Sequence, residues 1–277
     1  MRGDVYQRSS GGWGSPVGNI AGPTGLAICV PLIGATGAPA PYDSDTLALF
    51  RFNEDVAGPG FANEATGAAG ALYVPGGSTV YPGNVGPFGY RATPGGPGGA
   101  VMLLGDSTNT RLVTANGAFE PSTNLTVSVW VFLHTYRKAS GDGHLIAKMY
   151  RPSSWTSPYR VAGLFFDSSM MLNAFVNGVA AQYDGHVVPL YEWALVSLTY
   201  DGASVSLYVD GCLVNFAHPT GAIAWQTGGN ASPWVVGEPP MISGEGLDAR
   251  VGSLWIEQVC RSASYLLDVY RRGAKRF

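Results

Sequence analysis

Charge is scarce in this sequence: only 13% of its 277 residues are Asp, Glu, Lys or Arg, and they sum to a formal net charge of −3. A protein that grips phosphate backbones carries a basic excess, so nucleic acid is not an expected partner. With 46% hydrophobic residues, the chain is also not one held unfolded by self-repulsion. Cysteine is rarer still. Cys29, Cys212 and Cys260 are the only three, with no CxxC pair and no Cys/His cluster, so a structural zinc site is not expected. An odd count cannot complete a disulfide framework. Cys212 and Cys260 could pair if neighbouring strands carry them, but buried free thiols are the expectation. The histidines, His134, His144, His186 and His218, have no ligand spacing and read as ordinary loop or strand-end residues. No apolar h-region follows Arg2, and the apolar run near Gly25–Gly34 is too short to span a bilayer. The chain is therefore expected to be made in a cytoplasm, without a secretory signal and without membrane insertion.

Turn formers, by contrast, are abundant: 39 Gly and 19 Pro suit many short strands. The segment Trp193–Phe216, WALVSLTYDGASVSLYVDGCLVNF, alternates apolar and polar residues with period two. Asp201-Gly202 and Asp210-Gly211 interrupt it as two-residue hairpin turns, since Asp-Gly accepts positive φ at low steric cost. Three antiparallel strands follow, roughly 194–200, 203–209 and 212–216, and a second sheet must cover their apolar face. Thr46–Phe52, Val101–Leu104, Arg111–Thr114, Leu125–Leu133, His144–Tyr150, Val161–Phe166, Met171–Val176, Val179–Tyr183, Trp234–Val236 and Val251–Val259 read as further strands. Asn177-Gly178 reads as another hairpin turn. The stretch ANEATGAAGAL reads as a small-residue loop, and residues 75–100 as irregular. Ser262–Arg272 is the one good helix, capped by Ser262, with Leu266, Leu267 and Tyr270 on its apolar face and Gly273 to end it. Arg271, Arg272, Lys275 and Arg276 form a basic tail.

Residues 1–41 differ from the rest, being rich in Gly, Pro, Ala and Ser with short apolar patches. They read as an anchoring arm, expected to find order on neighbouring subunits, and residues 42–277 as one domain. About a dozen short strands and one terminal helix give an all-β sandwich.

Four stretches carry a family resemblance, in order along the chain. TLALFRFNED, the strand Leu125–Leu133, WALVSLTYDGASVSLYVDG and the closing ARVGSLWIEQVCRSASYLLDVYRRG resemble the laminin-G-like, concanavalin A-like jelly-roll family from Asp45 to Gly273. Members often carry an Asp-Glu pair in the closing strand, where this chain has Gly252-Ser253, so no acidic or calcium-linked role carries over there. The resemblance implies a concanavalin A-like jelly-roll β-sandwich, and a family that includes lectins, adhesion modules, some glycosidases and accessory domains of phage tail and capsid proteins. Fold alone does not choose among them.

The residues narrow the choice. Glycoside hydrolysis needs two carboxylates about the scissile bond, but no E-x-D-x-x-E strand is present and Glu257 stands alone in its own. No G-x-S-x-G elbow and no P-loop occur, and Gly244–Ala249 is a turn rather than a nucleotide fingerprint. Asp106, Asn109, Asp142 and Asp167 could contribute oxygens to calcium, but read as solvated turn residues. No metal and no cofactor are expected. Sugar recognition uses an aromatic platform ringed by polar groups, and the loop Arg151–Arg160 offers Trp155, Tyr159 and Arg160. The expectation is a non-enzymatic, multi-copy structural or adhesive protein of a phage virion. It would be anchored to other virion proteins through residues 1–41 and display a lectin-like domain toward host-surface glycan. A free carbohydrate-binding lectin is the alternative, and a glycoside hydrolase the weaker one.

Overall fold

The computed structural model describes residues 8–9, 12–13, 43–54, 60–65, 70–76, 78–84, 86, 99–104, 110–136, 142–149, 160–228, 231–238 and 246–273. Two short strands, β1 (Arg8–Ser9) and β2 (Gly12–Trp13), pair only with each other. What the rest of residues 1–41 rests on lies outside the described residues.

From Thr46 onward the chain lays down β3 (Thr46–Phe50), β4 (Gly60–Ala62), β5 (Ala71–Tyr73), β6 (Tyr81–Asn84), β7 (Ala100–Leu103), β8 (Arg111–Val113) and β9 (Leu125–Leu133). There follow β10 (Gly143–Met149), β11 (Arg160–Phe166), β12 (Met171–Val176), β13 (Val179–Asp184), β14 (Trp193–Tyr200), β15 (Val205–Val209) and β16 (Cys212–Ala217). β17 (Trp234–Gly237), β18 (Ala249–Glu257) and the helix α1 (Ala263–Gly273) complete it. One antiparallel sheet runs β13-β12-β11-β10-β17-β8-β5-β4. The other runs β16-β15-β14-β9-β18-β7-β6, with β3 also paired to β18. The expected jelly-roll sandwich is therefore present.

Alternation explains the core. Leu125, Val127, Val129, Val131 and Leu133 of β9 point inward with Val196 and Leu198 of β14, against Leu164, Leu172 and Ala174 of the facing sheet. Most of the opposite side of β9 is also covered, because α1 lies on it, and only Phe132 there is part-exposed. Trp130 stacks on Tyr270 at 5.8 Å, beside buried Leu49, Leu195, Trp255 and Val269. On this face the Ser128 hydroxyl donates to the Ser197 hydroxyl at 2.8 Å. The Ser262 hydroxyl accepts from the Tyr265 N–H at 3.2 Å, which is the expected cap. Arg261 then ties the helix start to both sheet and chain entry, donating to Glu257 at 2.8 Å and to both oxygens of Asp43 at 2.7 Å.

Three sequence expectations need correction. Asp210-Gly211 and Asn177-Gly178 are two-residue turns, with φ of 54° and 77°, and 52° and 78°. Asp201-Gly202 is not one: Tyr200 pairs with Val205, leaving a four-residue loop closed by Asp201 Oδ1, which accepts from the Ala203 and Ser204 N–H groups. The end of the small-residue stretch and the turn-dense stretch hold β5 and β6, and β4 ends where the small-residue stretch begins. Each is only three or four residues long and carries too few apolar side chains for a period to show. Finally, Cys212 is disulfide-bonded, whereas Cys260 is a free thiol. Free thiols at both, and a Cys212–Cys260 pair, are excluded in this structure.

Candidate functional site

The outer face of β10–β13 carries a chemistry that its inner face lacks. The pairings His144 with Phe165, Phe165 with Asn173 and Asn173 with Gln182 set these four residues in one row across four strands. Inward neighbours Leu164, Leu172, Ala174 and Ala181 fill the core, so strand pleat forces the row outward.

Arg160 opens β11 and lies along this face. Its guanidinium sits 4.2 Å from the Phe165 ring centroid and donates to Asp142 Oδ2 at 2.7 Å. The His144 ring stacks on Phe165 at 5.7 Å, and Phe175 meets Phe165 edge-on at 5.5 Å. Beside them the Asn173 amide donates to Asp167 Oδ2 at 3.3 Å. The Gln182 amide donates to Asn173 Oδ1 at 2.6 Å and to Asp167 Oδ2 at 3.4 Å. Gly163 has no room for a side chain, since a Cβ there would meet the Ala147 backbone at 2.5 Å. Strands β10 and β11 are thereby drawn close beneath the Arg160 side chain.

Burial raises the Asp142 carboxyl above its ordinary range, Asp167 raises it further, and Arg160 with the Ser168 N–H opposes both. His144, Phe165, Asn173 and Phe175 are themselves buried, so the groups this face presents to solvent are the Arg160 guanidinium, the Gln182 amide and the part-exposed Asp142 and Asp167 carboxyls. Such groups bind hydroxyls and small charged substituents. They form no obvious hydrolytic pair, because Asp142 is held by Arg160 and Asp167 by backbone and amide N–H groups.

Of the residues singled out from sequence, Arg160 lies on this face, half-exposed at 38%. Trp155 and Tyr159 lie outside the described residues. Asp142 and Asp167 are brought to one end of the face, while Asp106 and Asn109 lie outside the described residues, and no group of three or more His, Cys, Asp or Glu could hold a metal among those described. Glu257 is fully buried and held by Arg261. Sequence reasoning missed Phe165, Asn173, Phe175 and Gln182. The signal was present: in MLNAFV the off-core positions are Asn173 and Phe175, an amide and an aromatic where surface strands usually carry Thr, Lys or Glu.

A family model described as the concanavalin A-like lectin/glucanases superfamily, of the laminin G type, matches residues 106–265. The chain belongs to that superfamily. No curated protein sequence matches it. Among solved structures, the superfamily member described here is similar to Trypanosoma rangeli sialidase in complex with sialic acid, with a TM-score of 0.55 at 13% identity, over 88% of this chain and 36% of that one. It is also similar to the botulinum neurotoxin serotype D binding domain, with a TM-score of 0.54 at 13% identity, over 82% of this chain and 50% of that one. A ligand binding domain of the same neurotoxin in complex with N-acetylneuraminic acid gives 0.52 at 14% identity, over 82% and 50%. This chain thus spans between about a third and a half of these proteins, and at such identities the likeness is one of fold.

Proposed function

We propose that this chain is a non-enzymatic adhesion module that contacts glycan through the outer face of β10–β13. The observation that carries the reading is the Arg160 guanidinium, seated on Phe165 and fixed by Asp142, beside the Asn173–Gln182 amide pair. A fixed cation, the exposed Gln182 amide and the part-exposed carboxylates can bond sugar hydroxyls from one side, and Trp155 and Tyr159, upstream of Arg160 in the sequence, are the rings this reading assigns to stacking. Two of the solved structures of similar fold hold sialic acid or N-acetylneuraminic acid, which is compatible with this use of the fold. The wider setting we infer is a phage virion in which residues 1–41 anchor many copies to other structural proteins. Its support is the change of composition at residue 42, and the pairing of β1 and β2 with each other rather than with either sheet of the sandwich.

The test is binding of the full chain to a printed glycan array, followed by product analysis of any bound glycan by mass spectrometry. Binding that is lost in Arg160→Ala and Trp155→Ala with an unchanged melting curve, and glycan recovered intact, is the expected result. Cleaved glycan would show an enzyme. Failure of the wild-type chain to retain any glycan would remove the reading. Incorporation of a chain lacking residues 1–41 into virions at the wild-type level would remove the anchoring role.

A further inference from the structure

On the other sheet, the face that carries α1 is only partly covered. Beyond the helix, strand register sets Trp193 against Phe132, Phe132 against Arg250, Arg250 against Met102, and Met102 against Tyr81. These five side chains form one row across β14, β9, β18, β7 and β6. At an inter-strand spacing of ~4.8 Å the row is about 19 Å long. None of the five is buried, and Tyr81 is 42% exposed.

The row continues past the strand ends. The His134 ring packs edge-on against Phe132 at 5.5 Å, and Tyr191 lies 6.3 Å beyond His134. Tyr191 is 65% exposed, the highest among large apolar or aromatic side chains described. Its backbone is held at φ 60° by the bond from its N–H to Leu133 O at 2.8 Å. A β-strand-favouring aromatic residue held in the left-handed region and turned to solvent is a cost that core packing does not explain.

Arg250 sits at the centre of the row, its guanidinium 5.0 Å from the Phe132 centroid. Among the described residues no carboxylate pairs with it, and its Nε is shielded from water without a hydrogen-bond partner. Among the described residues, the other two arginines with a cation–π contact each hold an acid: Arg160 holds Asp142, and Arg261 holds Asp43 and Glu257. The nearby Asp248 is engaged by His134 at 2.8 Å instead. Glu192, between Tyr191 and Trp193 in the chain, is exposed.

We propose that this row is a second binding site, for an acidic oligosaccharide lying across the strands. Phe132, Trp193 and Tyr191 offer apolar ring surface to the sugar faces. Arg250 takes a ligand carboxylate as a charge-assisted fork, and His134 with Asp248 bonds hydroxyls at the Tyr191 end. The length of the row suits an extended chain rather than one ring. The site shares no residue with the Arg160 face and does not depend on it.

The experiment is titration calorimetry of the full chain with oligogalacturonate and oligosialate as acidic probes and maltohexaose as the neutral one. Tyr191→Gly removes the ring while relieving the backbone, and Arg250→Gln removes the charge while keeping a long polar side chain. Melting curves report the folding of each. The expected result is binding of an acidic probe that weakens with added salt and is reduced about tenfold or more by either variant. Arg250→Lys should recover part of the loss. Equal affinity for maltohexaose, indifference to both variants, or no binding of either acidic probe would overturn the proposal. If Arg160→Ala alone abolishes binding of the acidic probes, the first face binds them and this one does not.

Discussion

Asp210 Oδ1 accepts the Leu195 backbone N–H at 2.9 Å from within the layer between sheet and helix. The bond joins the Asp210-Gly211 turn to the neighbouring strand β14 and holds a carboxyl largely away from water. Burial pushes its pKa up to about 7, with nearby Glu192 adding to the rise and the Leu195 N–H and Tyr270 opposing it. Burial likewise raises Glu257 to about 7, against the pull of Arg261.

The consequence is a stability that depends on pH. An unfolded Asp titrates near 3.9 and an unfolded Glu near 4.3, so between about pH 4 and pH 7 the folded chain holds more protons than the unfolded one. The stability these carboxyls contribute is complete below about pH 4 and is lost as pH rises through about 7. Asp210→Asn keeps the acceptor and tolerates φ 54°. Its gain over wild type should be about 2 kcal/mol larger at pH 8 than at pH 5. Urea denaturation at the two pH values measures this, and an equal gain at both would contradict it.

Gly211 and Gly178 separate backbone strain from steric conflict. Both have positive φ, at 77° and 78°, but a Cβ on Gly211 would meet the Leu267 backbone at 2.3 Å, whereas one on Gly178 meets nothing within 4 Å. Gly178→Ala should cost about 1 kcal/mol, the strain of a left-handed residue. Gly211→Ala must also push α1 away from the sheet and should cost about 3 kcal/mol or more. Tryptophan fluorescence during denaturation would follow both, since α1 covers Trp130 and Trp255.

Lys148 points inward at one end of the sandwich and is fully buried. Its ammonium lies 2.8 Å from Glu120 and 3.1 Å from Ala118 O, with the Trp225 and Trp234 rings 5.5 and 5.9 Å away. Burial lowers its pKa, and Glu120 opposes the fall. Removing the partner alone leaves a charge stranded, so Glu120→Gln should cost about 2–4 kcal/mol, whereas Lys148→Met should be close to neutral. In the double variant the Glu120→Gln cost should largely vanish. Simple addition of the two costs would show that the pair is not coupled.

The cysteines make a chemical prediction. Alkylation of the denatured, unreduced chain followed by peptide mapping should label Cys260 and leave Cys212 unlabelled until reductant is added. Equal labelling of both before reduction would show that the Cys212 bond does not form.

Much of this was readable along the chain. Period-two patterning located β9, β12 and β14 almost to the residue, because each has one face wholly inside an apolar core and a single residue of slip would reverse it. The Asn-Gly and Asp-Gly turns were readable where both central residues need positive φ. Asp201 broke the rule because its side chain could instead accept two backbone N–H groups within the loop. The short strands β4, β5 and β6 had no period to read, being made strands by their partners rather than by their own composition.

By itself, then, the sequence determined the two-layer β architecture and the capped terminal helix. These follow from local periodicity, turn stereochemistry and residue type, which act over a few positions. Only the tertiary structure decided that Arg160 lies on Phe165 and against Asp142, that Trp193, Phe132, Arg250, Met102 and Tyr81 form one row, and that Asp210 is held against β14. Each of these depends on which strands become neighbours and in what register. That pairing is chosen by closure of the whole core, between segments as far apart in the chain as Tyr81 and Arg250.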